Sequence, residues 1–162
     1  MKRTVRVNRG LLVFSLAVPL LVGGISALLT SDSMGQYAAM NQPTLAPPGW
    51  VFPIAWTLLY LMMGFASYLV LMTRGDGDRK RTAMFVYAAQ LVLNFFWSIL
   101  FFRFSLYFIA FLWLVVLWVV VLLCTGKFFR VSKRAGMLMI PYMLWLTFAA
   151  YLNFSVYQLN VI

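Results

Sequence analysis

The sequence predicts an all-α fold, an integral membrane bundle of five transmembrane helices, and three observations carry that prediction. Of the 162 residues, 64% are hydrophobic and 10% charged, against roughly 25% charged in an ordinary soluble domain. Five long stretches contain no charged side chain, and each is close to the roughly 20 apolar residues that a helix needs to cross hydrocarbon. The 13 Lys and Arg residues lie between those stretches, the pattern of basic membrane loops, so the net charge of +10 points to a membrane face and not to nucleic acid. Spans of this length use up the chain, and residues 1–162 read as a single domain.

The first span covers residues 11–30. Lys2, Arg3, Arg6 and Arg9 before it would suit a secretory signal, but the apolar run is about 20 residues long and no small-x-small cleavage site follows, so it is read as retained. Pro19, Gly23 and Ala27 recur every fourth residue, a stripe of small side chains that lets another helix come close; packing within the bundle is the reading taken. The loop 31–50 is the only long connection on its side. Asp32 or Ser33 is placed to cap a short helix carrying Tyr37, and the stiff Pro47-Pro48 pair follows. Such a loop suits a lid over a pocket mouth, the plain alternative being a spacer.

The second span, 51–72, places Pro53, Trp56, Tyr60, Met63, Gly64 and Ser67 on one face. At about 100° per residue, Tyr87, Gln90, Asn94, Trp97, Ser98 and Phe101 of the third span, 83–102, share an arc of about 100°. The fourth span, 106–124, is apolar all round and is expected to face lipid over most of its surface. The fifth, 135–157, aligns Tyr142, Trp145, Ala149, Leu152 and Asn153. An amide left unpaired in hydrocarbon costs several kcal/mol, so the three polar-aromatic faces must turn to a common interior. Interhelical hydrogen bonding accounts for any one of these residues. Trp56, Trp97 and Trp145, with Tyr and Asn side chains around small residues, describe instead an aromatic cavity with a few polar anchors, suited to a flat ligand. Trp50, at a span end, fits the interfacial belt.

The missing chemistry narrows the function. There is no histidine and no glutamate, and the three acids, Asp32, Asp76 and Asp78, all fall in loops. No set of ligands for a metal exists, no nucleophile has a base beside it, and no intramembrane carboxylate is available to relay protons. Gly75-Asp76-Gly77 lacks the context of a phosphate loop. Cys124, the one cysteine, has no disulfide partner and reads as a packing residue. Ligand binding remains, with no cofactor required.

Basic residues near span ends stay in the cytoplasm. Four precede the first span, four lie in 73–82 (Arg74, Arg79, Lys80, Arg81) and four in 126–134 (Lys127, Arg130, Lys133, Arg134), against Arg103 alone on the other side. The expected topology has the N-terminus cytoplasmic and the C-terminus outside.

Three ordered motifs then resemble a known family. PTLAPPGWVFPIAWTLLY (residues 43–60), QLVLNFFWS (90–98) and PYMLWLTFAAYLN (141–153) are similar to the second-, third- and fifth-helix motifs of the translocator protein / tryptophan-rich sensory protein family. The resemblance implies a five-helix bundle, commonly a homodimer, in a bacterial plasma membrane, with a pocket among the first, second, third and fifth helices beneath the first long loop. It carries ligand positions onto Tyr37, Pro47, Trp56, Asn94, Trp97, Ser98, Trp145, Ala149 and Leu152. The ligands it implies are protoporphyrin, heme and related porphyrins, with synthetic isoquinoline carboxamides and benzodiazepines. Light-dependent porphyrin degradation in some bacterial members implicates the positions of Trp56 and Trp145, and tetrapyrrole transport is a further alternative, although no duplicated half marks a transporter. Leu45 stands where the family usually has Trp, which is expected to weaken the aromatic surface of the lid. The fourth span lacks an acid found in many members. No Lys or Arg follows Tyr157, so sterol binding is not expected.

Overall fold

The structure is a computed structural model that describes residues 7–33, 35, 39–75 and 77–161. Helix α1 is Arg9–Thr30, followed by a 3-10 turn at Ser31–Ser33; α2 is Val51–Met72; α3 is Gly77–Ser98, prolonged by a π-turn at Ile99–Arg103; α4 is Tyr107–Val131; α5 is Lys133–Val161. All five are long and apolar enough to cross a membrane, and no strand occurs among the described residues.

Helices α3, α4 and α5 run beyond the apolar stretches read as spans 83–102, 106–124 and 135–157. A hydropathy reading stops at the first Lys or Arg, whereas a helix needs only its backbone bonds, and long basic side chains at its ends carry their charge out to water. The loop read over 126–134 contracts to Ser132. Its N–H donates to the Phe128 carbonyl at 2.7 Å and its hydroxyl accepts from the Ala135 N–H at 3.4 Å, so one residue closes α4 and caps α5. The turn after α2 uses Gly75 at φ 121°, a conformation that side chains disfavour, and Lys80 Nζ secures it by donating to the Thr73 carbonyl at 3.1 Å. The first helix starts on Asn8, whose Oδ1 accepts from the Leu11 N–H at 3.1 Å.

Around the bundle the neighbours run α1, α2, α5, α4, α3 and back to α1. Small residues decide how closely α1 and α2 approach. A Cβ on Gly64 would lie 2.6 Å from the Ser15 carbonyl oxygen, and one on Gly23 would fall within the Tyr60 ring. Pro19 lacks the N–H that would pair with Ser15 four residues back, so Gly64 packs against a carbonyl outside the helical ladder. Of the stripe expected on α1, Pro19 is buried in the bundle, Gly23 packs against Tyr60 at the edge of the cavity, and Ala27 lies higher on the cavity wall.

Helix α4 buries Tyr107, Ala110, Leu114, Leu117, Val121, Cys124 and Phe128, at alternating steps of three and four, which is a narrow seam. Thr125 is buried beside this seam, Trp113 and Trp118 are half-buried against the core, and much of the opposite surface, including Ile109, Val116 and Leu123, is exposed. Elsewhere on the bundle Leu28 is 76% and Phe85 74% exposed, an apolar exterior that water would not tolerate and lipid does. Trp50, at the start of α2, is exposed as well.

Candidate functional site

The bundle is open at the end away from the basic clusters. There a cavity of about 770 Å³ lies between the second half of α1, the first half of α2, the end of α3 with its π-turn, and the second half of α5. Residues 42–49 roof it, and α4 contributes nothing to its wall. Seven of the positions expected to meet a ligand line it: Pro47, Trp56, Trp97, Ser98, Trp145, Ala149 and Leu152. Tyr37 lies outside the described residues.

Asn94 is the exception. It is 1% exposed and sits beneath the cavity floor, away from its lining. Its Oδ1 accepts from the Tyr60 hydroxyl at 2.7 Å, and its Nδ2 donates to the Tyr142 hydroxyl at 2.9 Å. Tyr142 in turn donates to Gln90 Oε1 at 3.0 Å, and Gln90 Nε2 reaches Met63 Sδ at 3.7 Å. Asn94 is thus the one described position of the expected set that does not line the cavity, and its amide joins α2, α3 and α5. A helical face tells which way a side chain points, and here Tyr60, which does line the cavity, takes up the Asn94 oxygen.

Asn153 performs a similar task one layer higher. Its Oδ1 accepts from Trp97 Nε1 at 3.2 Å and its Nδ2 donates to the Tyr107 carbonyl at 2.8 Å, fixing the Trp97 ring on the wall. Trp56 is the hub of the aromatic surface. Its ring stacks on Tyr60 at 5.5 Å between centroids, lies 6.1 Å from Trp97, and meets Tyr142 and Trp145 edge-on at 6.3 and 6.5 Å. Trp97 stacks on Phe101 at 5.6 Å. In the π-turn Phe104 donates to the Ile99 carbonyl at 3.1 Å, and this wider turn brings the adjacent Phe101 and Phe102 both onto the wall. Such interlocked rings hold their rotamers, so the surface is largely preformed.

Several lining residues went unread in the sequence. Gly23, Ser26, Ala27 and Thr30 form the α1 wall; their small size was legible, but it signals close packing as readily as cavity space. Leu45 is exposed and outside the lining. No Asp, Lys or Arg occurs among the described lining residues. Two lining side chains hold buried polar atoms with no hydrogen-bond partner, Ser26 Oγ and Trp145 Nε1. The contrast with Thr30, whose hydroxyl donates to the carbonyl of Ser26 at 2.9 Å, shows how a hydroxyl in this helix can satisfy itself.

Comparison with known proteins matches residues 15–159 to the profile of the TspO/MBR family. The chain is 40% identical to the tryptophan-rich protein TspO of Chlorobaculum tepidum over 76% of this chain and 78% of the relative. It is 39% identical to the tryptophan-rich sensory protein of Cereibacter sphaeroides over 83% and 81%. The human translocator protein is 32% identical over 83% of this chain and 80% of its own length.

Proposed function

The chain belongs to the TspO/MBR family, whose multi-pass membrane proteins have a receptor-like role, and from that premise we propose that it is a sensor-like receptor for porphyrins. Protoporphyrin, heme and other flat hydrophobic ligands would occupy the roofed cavity, with isoquinoline and benzodiazepine compounds as synthetic occupants. The observation that carries this reading is the wall itself. Three tryptophans, Trp56, Trp97 and Trp145, meet in one cavity of about 770 Å³ whose described lining holds no Asp, Lys or Arg, a size in the range of small-molecule sites. A planar macrocycle offers π-faces to the rings of that wall. The homodimer and the bacterial plasma membrane, with N-terminus cytoplasmic and C-terminus outside, belong to the same proposal.

Titration of the purified protein with protoporphyrin in darkness tests it, read by Soret absorbance and tryptophan quenching. Saturable quenching that a Trp56→Ala variant weakens supports the reading; unsaturable quenching, equal in both proteins, rejects it. The Trp56 and Trp145 rings, 6.5 Å apart, favour a second reading, light-dependent degradation of the bound porphyrin. Loss of the Soret band under illumination, in wild type and not in Trp56→Phe, distinguishes degradation from binding alone.

A further inference from the structure

The roof of the cavity is a stiff panel. The Ala46 N–H donates to the Pro43 carbonyl at 2.9 Å and the Val51 N–H to the Pro48 carbonyl at 2.9 Å, and Pro43, Pro47 and Pro48 each fix their own φ. One edge of the panel runs covalently into α2 at Val51. The other edge is Asn41, next to Met40, whose Sδ accepts from the Tyr107 hydroxyl at 3.5 Å, and the Asn160 side chain holds the Asn41 backbone. The Asn41 N–H donates to Asn160 Oδ1 at 3.0 Å, and the Asn41 carbonyl accepts from Asn160 Nδ2 at 3.1 Å. The primary amide of Asn160 thus pairs with both backbone groups of one residue, as a neighbouring strand would. Its second N–H donates to the Val156 carbonyl at 2.9 Å, which sets its rotamer on the last turn of α5. The Asn41 side chain adds only a 3.4 Å contact to the Leu159 carbonyl.

We propose that Asn160 is a positioning residue for this site: by clasping Asn41 it holds the roof 42–49 closed and sets the rate at which ligand is admitted and released. The inference rests on the reading of the cavity as a ligand pocket. Asn160 does not line the cavity, so it acts through the loop. The clasp needs a donor and an acceptor on one short side chain, which an amide supplies and a carboxylate or an aliphatic group does not. Both asparagines are exposed, and a hydrogen bond that water can replace is worth little net. The clasp therefore opens and recloses while the buried walls stay in place. Asn160 lies beyond the apolar stretch 135–157, and the helix that continues to Val161 brings it to the roof.

Stopped-flow quenching by protoporphyrin, on the full chain in lipid nanodiscs, tests the proposal. Asn160→Leu is expected to raise both kon and koff by roughly tenfold, equivalent to about 1.4 kcal/mol off the gating barrier, while Kd shifts by less than about threefold. Asn160→Asp, which keeps the acceptor and loses the donor, should fall between. Asn41→Ala keeps both backbone groups and should change either rate by less than about twofold. Hydrogen exchange at the Asn41 amide should speed up in Asn160→Leu and not in Asn41→Ala, a signature that a general loss of stability would not give. Unchanged rates in Asn160→Leu, or a rise in koff alone as a wall residue would produce, overturn the inference while leaving the pocket in place. A wild type that does not bind protoporphyrin overturns the pocket reading, and this inference with it.

Discussion

Replacing Asn94 with Leu probes whether its amide serves the bundle or the ligand. The substitution removes two contacts, the Tyr60 hydroxyl to Oδ1 at 2.7 Å and Nδ2 to the Tyr142 hydroxyl at 2.9 Å. Tyr142 keeps an acceptor in Gln90 at 3.0 Å, so only the Tyr60 proton is stranded. An unpaired buried donor costs about 1–3 kcal/mol, and an interhelical hydrogen bond within a membrane contributes on average about 0.6 kcal/mol; together the expected loss is about 2 kcal/mol. Tyr60→Phe leaves Asn94 Oδ1 as an unpaired acceptor and should cost about 1 kcal/mol. In the double variant neither stranded group remains, so its loss should be smaller than the sum of the two by about 1 kcal/mol. Unfolding in mixed micelles, followed by helical circular dichroism, measures all three. Protoporphyrin affinity should fall less in Asn94→Leu than in Trp145→Ala, because Tyr60 stands between Asn94 and the cavity. Strict additivity of the two losses, or an affinity drop matching Trp145→Ala at unchanged stability, would refute the reasoning and return Asn94 to the ligand.

Trp145→Ala should weaken protoporphyrin binding by roughly tenfold or more, since an aromatic pair contributes about 0.5–1.5 kcal/mol beyond the area it buries; Trp145→Phe should lose less, and Trp118→Phe, on the outer side of α4 against Thr147, should leave Kd unchanged in the same titration. Gly64→Ala places a Cβ 2.6 Å from the backbone oxygen of Ser15, and the roughly 1–3 kcal/mol of overpacking should exceed the roughly 1 kcal/mol gained in helix propensity. Gly126→Ala, with nothing within 4 Å of its Cβ, should keep that gain, and thermal denaturation of the two variants should move in opposite directions. Reporter fusions should place the N-terminus in the cytoplasm and the C-terminus outside; two termini on the same side would contradict the odd number of crossings.

Hydropathy and helical period made the five helices and their inward faces legible, because both signals are local. Trp56, Trp97, Ser98, Trp145, Ala149 and Leu152 could be assigned to the interior for that reason. What escaped depends on neighbours. Asn94 and Asn153 carry the same amide at the same sort of inward position, yet Asn153 reaches the cavity lining while Asn94 ends hydrogen-bonded to two tyrosines. Asn160 lies beyond the apolar stretch 135–157, and nothing in the sequence around it announces a partner 119 positions away. Phe102 joins the wall because the π-turn departs from the 100° step on which the projection relied.

The absence of ionised side chains among the described residues of the cavity wall has a bearing on how occupants are chosen. A wall with no fixed charge offers a carboxylate no counter-ion, so selection among planar compounds falls to outline and polarisability, and acidic arms are disfavoured unless they protonate or project past the roof. Any dependence of occupancy on acidity between pH 5 and 8 would then be a property of the guest's own titration. A dimethyl ester and its parent diacid, compared across that interval, would separate the two contributions without altering a single residue of the protein.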